Sequence, residues 1–241
     1  YRAYWRYMRD GYFRSIRTAS SKDFLHWENK TDLSYFNTPD EQLYINVIKP
    51  YYRAPYLLIG FPVRYVERGW SESTLNLPDR EKRLLRATAE ERFGTAITES
   101  LVMVSRDGVN FRRWQEAFLR PGIERPGSWS YGDQYIAWSM VETKSSLEGA
   151  PNEISLYAVE GNWGTLSNDM NALRRYTLRL DGFVSASAPM SGGEILTKPI
   201  LFEGNKLLLN FSTSAAGEIR VELQDEKGNP VPGYTLTDCE P

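Results

Sequence analysis

Hydrophobic and polar positions alternate along most of the chain in short runs, and Gly, Pro, Asp and Asn interrupt them. That period of two, with frequent turn residues, predicts many short β-strands. "GYFRSIRTAS" reads as one strand. "QLYINVIKPYY" and "PYLLIGFPVRYV" read as two, joined by a tight connection at residues 53–55. "ESLVMVS" is another, and its turn carries Asp107-Gly108, a strong hairpin signal. "DQYIAWSMVET", "NEISLYAVE" and "LRRYTLRLDGF" follow. The predicted class is all-β.

Two segments break this rhythm. "LPDREKRLLRATAEERFG", residues 77–94, is rich in Arg and Glu, with Leu84 and Leu85 as its main apolar pair. Pro78 and Asp79 can start a short helix and Gly94 can end it, so a helical or loop insertion is expected between two strands. Its charges read as a solvated face rather than a binding patch. Further on, "SASAPMSGG" marks a boundary placed near residue 184. Beyond it, "KLLLNFST" and "EIRVELQD", with turns at "EGN" and "EKGNP", predict part of a C-terminal β-sandwich.

One phrase is written twice. "SSKDFLHW" and "SRDGVNF" both hold Ser-x-Asp with an aromatic four residues after the Asp: Ser21, Asp23 and Trp27, then Ser105, Asp107 and Phe111. A phrase repeated once per supersecondary unit marks a repeat architecture. Here the unit is a four-stranded propeller blade. Each Asp is expected to accept backbone N–H bonds in a turn, with the aromatic packed between blades. His26 is read as packing rather than catalysis.

Composition narrows the functions. The chain has 241 residues, 41% hydrophobic and 25% charged, with a net charge of −2. This balance gives no electrostatic case for nucleic acid or an anionic membrane. No apolar run reaches the ~18 residues of a membrane span. One His and one Cys exclude an ordinary zinc site and any internal disulfide. No calcium-loop spacing, P-loop, dinucleotide fingerprint or nucleophile elbow is present. No metal or cofactor is therefore expected. The aromatic content is high, with 7 Trp, 15 Tyr and 10 Phe. Aromatics suit sheet packing, and they also form platforms for sugar rings. The chain starts on Tyr1 rather than Met and stops just after a strand-like run, so it is expected to be a fragment.

The phrase S-x-D-x-x-x-W after a strand resembles the blades of five-bladed β-propeller glycoside hydrolases, the invertase and arabinanase group (families 32, 43 and 68). The ending, from "LRRYTLRLDGF" through "EIRVELQDEKGNPVPGY", resembles large planctomycete-type proteins similar to glycoside hydrolase family 32. The resemblance covers nearly the whole chain. It implies the C-terminal blades of a five-bladed propeller over residues 1–183, and the start of a β-sandwich over residues 184–241. A long blade would span about residues 38–122, and a last blade about residues 128–183. The first blades and their catalytic Asp would precede Tyr1. The resemblance also implies a secreted or periplasmic carbohydrate-active protein that hydrolyses glycosidic bonds in a plant or algal glycan.

Glycoside hydrolysis needs two carboxyl groups across the scissile bond. In the invertase pattern the acid is a Glu just before the innermost strand of a blade, and "TPDEQLY" places Glu41 there. The residues that follow depart from the invertase Cys-Pro-Asp, reading Gln42-Leu43-Tyr44. The competing reading of Glu41 is a solvated loop carboxylate. Tyr44 and Asn46 alternate with Gln42 on one strand face and are candidate sugar contacts. Arg53, in "YYRAPY", is a candidate for a sugar hydroxyl or carboxylate, or else an ion pair. Trp129, Tyr131 and Asp133 precede the next innermost strand, where Trp129 or Tyr131 can stack on a sugar and Asp133 can accept a hydroxyl. Two other classes stay open: a non-catalytic carbohydrate-binding propeller, and a repeat scaffold for protein contacts.

Overall fold

A computed structural model describes residues 1–36, 38–137, 140–161 and 172–240. The structure is nearly all β. It divides into two compact units, Tyr1–Val184 and Ser185–Pro241.

The first unit holds successive antiparallel sheets. β1 (Arg2–Arg9) and β2 (Phe13–Ser20) form a hairpin in register from Arg2↔Ser20 to Arg9↔Phe13. Asp10 and Gly11 turn it with φ of 54° and 81°, a left-handed pair that Asp-Gly tolerates at little cost. β3 (Glu28–Asp32) pairs with β2 on its other side.

The second sheet is a four-stranded meander. Its first strand is β5 (Lys49–Tyr51), which follows β4 (Ser34–Tyr35) and is preceded by residues 42–46, with the isolated bridge Leu43↔Arg64. The next strand is β6 (Ala54–Gly60) continuing into β7 (Val63–Val66). Residues 42–46 pair with β7 through Tyr44 N–H to Val63 O at 2.7 Å and Tyr65 N–H to Gln42 O at 2.9 Å. Pro62, which has no N–H, separates β6 from β7, and its carbonyl accepts from Leu101 N–H at 2.8 Å. The third strand is β8 (Ile97–Ser100) continuing into β9 (Met103–Ser105), and β10 (Asn110–Arg113) is the fourth. β4 then adds parallel to β10.

In the third sheet, β13 (Glu153–Glu160) is paired on one side by β11 (Tyr135–Ile136) and β12 (Val141–Thr143), and on the other by β14 (Ala172–Arg179). Residues 138 and 139 of the expected strand "DQYIAWSMVET" lie outside the described residues.

Two apolar layers bind these sheets face to face. Ile16 and Leu33 of the first sheet meet Leu43, Ile48, Met103 and Phe111 of the second. Val47, Ile59, Phe61 and Val102 of the second meet Ile154 and Leu156 of the third. Full burial of such side chains contributes about 1.5–3 kcal/mol each.

The repeated phrase folds the same way twice. Ser21 Oγ accepts from Phe24 N–H at 2.8 Å, and Asp23 Oδ1 accepts from Leu25 and His26 N–H at 2.9 and 2.8 Å. Ser105 Oγ accepts from Gly108 N–H at 2.9 Å, and Asp107 Oδ1 accepts from Val109 and Asn110 N–H at 2.8 and 2.7 Å. Each turn joins the last two strands of its sheet. Phe24 and Gly108 occupy the same left-handed position, with φ of 68° and 78°. Gly is favoured at residue 108 for a further reason: a Cβ there would stand 2.6 Å from the Tyr4 hydroxyl. The aromatics differ from expectation. Phe111 is buried in the core, but Trp27 stays exposed and packs edge-on against Phe24 at 5.5 Å between ring centroids. His26 is exposed rather than packed, with Nδ1 2.6 Å from Asp23 Oδ2.

Between β7 and β8 the chain forms α1 (Glu72–Leu75), α2 (Arg80–Ala87) and a 3-10 turn at Glu91–Gly94. The expectation of a solvated charged face needs correction here. Arg83 is only 2% exposed, while Leu84 and Leu85 are 43% and 59% exposed. Arg83 turns inward because its Nε donates to Pro78 O at 2.8 Å, Nη1 to Trp129 O at 2.8 Å and Nη2 to Ser128 O at 2.7 Å. Those bonds satisfy a buried charge that would otherwise be very costly.

In Ser185–Pro241 the turn at "EKGNP" forms, with Asp225 N–H donating to Asn229 O at 2.9 Å. The expected strands "KLLLNFST" and "EIRVELQD" do not form among the described residues, apart from a single bridge, Gln224↔Pro230. Alternating apolar residues make a strand only when a neighbour completes the hydrogen-bond ladder, and Leu207–Leu209 have none.

Hydrogen bonds hold the carboxyls of both repeated turns below the ordinary carboxylate range: chiefly His26 and the backbone for Asp23, and Asn110 and the backbone for Asp107. A depressed folded-state pKa stabilises the fold above the unfolded value near ~3.9, and the contribution disappears as pH falls through the folded value. The urea midpoint is therefore expected to fall progressively as pH drops below about 4, and less so in Asp107→Asn. Ser105→Ala, which leaves two N–H groups unpaired, is expected to cost about 1–2 kcal/mol by the same measurement.

Candidate functional site

The pairing puts four chain segments at one edge of the sheets. Val66 faces Ile97 across the β7–β8 pair, and Gln42 lies beside Tyr65. The loop before β11 docks on the same edge: Thr98 Oγ1 donates to Asp133 O at 2.7 Å and accepts from Gly132 N–H at 3.0 Å. This edge gathers the segments preceding β5 and β11, together with the insertion at residues 67–96.

At its centre are tyrosines and arginines. The Tyr44 ring lies 5.9 Å from Tyr65, 5.7 Å from Tyr131 and 6.1 Å from Tyr135, between centroids. The Tyr131 hydroxyl donates to that of Tyr44 at 2.7 Å. Arg6 lies 4.8 Å and Arg14 4.6 Å from the Tyr44 ring centroid, close enough for cation–π attraction. Arg14 also donates to Gln42 Oε1 at 2.6 Å. Burial, together with the Tyr44 hydrogen bond, pushes the Tyr131 hydroxyl up to about 12. Burial pushes Tyr65 and Tyr135 up as well. All three therefore stay neutral donors at neutral pH. The Tyr65 hydroxyl is buried without a hydrogen-bond partner.

Beside this cluster a cleft of roughly 300 Å³ is lined by Asp40, Glu41, Gln42, Arg64, Glu67 and Glu99, among others. Glu41 is held at both oxygens: Arg64 Nη1 donates to Oε1 at 2.8 Å and Arg113 Nη1 donates to Oε2. Arg64 also donates to Glu99, through Nε at 2.9 Å and through Nη2. The Arg113 side chain is 0% exposed. Glu41 is thus neither solvated nor free, and a proton exchange with substrate would first have to open an ion pair.

The other predicted residues divide clearly. Tyr44, Tyr131 and Asp133 share this edge, and Asp133 is 2% exposed. Trp129 is there too, in left-handed backbone with φ 57°, its Nε1 donating to Gly122 O at 2.8 Å. Gln134 is also left-handed at φ 63°. Two such non-glycine residues in one short loop are strained by about 1–3 kcal/mol each, and Arg83 and Thr98 hold that loop in place. Asn46 spends its side chain locally, accepting from Ile48 N–H at 3.3 Å. Arg53 lies at the opposite edge, in the β5–β6 turn, ion-paired to Asp181 at 3.1 Å. Asp181 also accepts from Tyr51 at 2.5 Å.

Sequence reading missed Arg6, Arg14, Tyr65 and Tyr135. Only Tyr135 had a usable signal, since it lies two residues after Asp133, at the start of the predicted strand. The arginines come from a separate sheet, and nothing local links them to Tyr44.

No family model and no curated protein matches the chain. It is similar to a solved structure, that of an N-acetylgalactosamine deacetylase from F. plautii in complex with blood group B trisaccharide, at 12% identity and a TM-score of 0.38. The match covers 68% of this chain, which spans 40% of that one.

Glu41→Gln is expected to leave the fully buried Arg113 short of its anion, at a cost of about 3 kcal/mol. Chemical denaturation measures it, and a change below ~0.5 kcal/mol would show that Glu41 is not holding Arg113.

Proposed function

We propose that the chain supplies consecutive blades of a β-propeller whose tyrosine- and arginine-lined edge binds a carbohydrate. The observation that carries this reading is the convergence of Tyr44, Tyr65, Tyr131 and Tyr135 with Arg6 and Arg14 from a neighbouring sheet. Sugar rings present C–H faces to aromatic rings and hydroxyls to phenol and guanidinium donors, and this edge offers both. The propeller reading draws support from three sheets packed in succession, from the four-stranded meander, and from the same Ser-x-Asp turn ending two sheets.

A second reading is glycosidic-bond hydrolysis by the whole protein, favoured by the four carboxylates Asp40, Glu41, Glu67 and Glu99 lining one cleft. In that reading Glu41 is one of the two required carboxyl groups, released from Arg64 and Arg113 when substrate enters. A scaffold for protein contacts has no comparable observation behind it.

A panel of plant and algal oligosaccharides, read by calorimetric binding and by release of reducing ends, separates these readings. Binding that weakens at least tenfold in Tyr44→Ala and more mildly in Tyr131→Phe, without cleavage, is the expected result. Cleavage abolished in Glu41→Gln while binding survives would instead establish the hydrolase. Failure to bind any glycan would sink both.

A further inference from the structure

The β1–β2 hairpin carries two arginines on the face it turns to the second sheet. Its register pairs Arg6 with Ile16 and Met8 with Arg14, so Arg6 and Arg14 are diagonal neighbours on one face, with bases roughly 7–8 Å apart. On the same face Ile16 is fully buried in one cluster with Leu43 and Phe111. Both arginines reach one ring. The guanidinium carbons of Arg6 and Arg14 lie 4.8 and 4.6 Å from the Tyr44 centroid, and that of Arg14 also lies 4.8 Å from the Tyr65 centroid. The strand register therefore fixes two like charges beside each other at the centre of the tyrosine cluster.

No carboxylate pairs with them among the described residues. Each carboxylate of the neighbouring cleft has its own cation: Asp40 has Arg9, Glu41 has Arg64 and Arg113, Glu67 has Arg92, and Glu99 has Arg64 and Arg120. The Gln42 amide stands between Glu67 and Arg14, donating to the first and accepting from the second. Asp133 is 2% exposed and engaged within the fold, and it forms no ion pair with either arginine.

The donors of the two arginines are largely unspent. Arg6 is exposed and makes no hydrogen bond among the described residues. Arg14 is only 9% exposed and spends Nη1 on Gln42, yet its Nε and Nη2 are not sealed from solvent, unlike the Tyr65 hydroxyl and Arg92 Nε. The Tyr44 hydroxyl accepts from Tyr131 and keeps its own proton to donate. Gln42 and Tyr65, the neighbours of Arg14, also line the cleft beside the cluster.

We propose that Arg6, Arg14 and the Tyr44 hydroxyl form a subsite for an oxyanion carried on a sugar, a uronate carboxylate or a sulfate ester. The proposal rests on the carbohydrate reading above and gives it a substrate class, acidic glycans. Planar guanidinium forks donate to either anion. An anion there also relieves the repulsion between the two arginines, while the tyrosine rings receive the C–H faces of the sugar.

Calorimetric titration of the full chain would use two matched pairs of oligosaccharide: oligogalacturonate against its methyl ester, and a sulfated galactan fragment against the same fragment desulfated. At least one acidic member is expected to bind about tenfold or more tighter than its neutral partner, with the advantage shrinking as salt rises. Which pair shows the advantage separates carboxylate from sulfate. Arg6→Gln is expected to remove the advantage at an unchanged melting temperature, since Arg6 makes no hydrogen bond or ion pair in the fold. Arg14→Lys, which keeps the charge without the fork, is expected to retain part of it. Inorganic sulfate at matched ionic strength is expected to compete with the acidic member and not with its neutral partner, a readout that a folding defect does not mimic.

Equal affinity within both pairs would overturn the subsite and leave carbohydrate binding intact. An acidic preference that survives in both Arg6→Gln and Arg14→Gln would overturn its placement on these residues. Sulfate acting no differently from chloride would overturn a discrete oxyanion site. No binding of any member would overturn the subsite and the carbohydrate reading together.

Discussion

Arg113 imposes the constraint around which the central sheet is arranged. A guanidinium with no solvent exposure must find an anion and further acceptors within the protein. It finds Glu41 and the carbonyl of Pro39, the latter at 2.7 Å. That requirement draws the segment following β4, which lies at the outer side of the sheet, across the edge to where residues 42–46 begin. Arg64 takes the other oxygen of Glu41 and passes the charge to Glu99. Alternating charges thus tie together the starts or ends of all four strands at one edge. The positions of Tyr44 and Tyr65 within the tyrosine cluster follow from that tie, while Arg83 and Thr98 set that of the Tyr131 loop.

The same edge explains why the tyrosines remain polar groups in a largely apolar setting. Each comes from a different segment: Tyr44 from the segment preceding β5, Tyr65 from β7, Tyr131 from the loop before β11, and Tyr135 from β11 itself. The Tyr131 hydroxyl meets that of Tyr44, and the rings of Tyr44 and Tyr65 meet Arg14, with Arg6 also over Tyr44. Because these contacts cross between sheets, the cluster is only as ordered as the packing of Leu43, Ile48 and Phe111 behind it.

What sequence reasoning could see depended on how far apart the interacting residues lie. The Ser-x-Asp turn closes within a few residues, so its hydrogen bonds were predictable from the phrase itself, and Asp23 and Asp107 behave as turn acceptors. The all-β class followed from alternation, which is also local. The charged insertion misled for the opposite reason. Arg83 is buried by carbonyls more than forty residues away, at Ser128 and Trp129, and nothing near it distinguishes it from the solvated arginines beside it. Glu41 was found by its place before a strand, but its two arginine partners belong to β7 and β10. Arg53 takes the ion-pair alternative, bound to Asp181 at the far edge of the sheet, which its local phrase could not place. In the tail, alternation in "KLLLNFST" carries no information about whether a pairing strand is at hand.

The insertion leaves the sheet at Val66 and returns at Ile97, and these two residues face each other across a β-ladder. Its ends are therefore joined whatever lies between them. A longer or shorter excursion changes a loop-closure entropy that grows slowly with length, as long as Asp79 and Arg83 keep their bonds to residues 127–129. Away from Asp79 and Arg83, residues 67–96 can thus vary while the strands beneath keep their register. Sequence variation is expected to collect there, and a designer could graft a different segment between the same two residues.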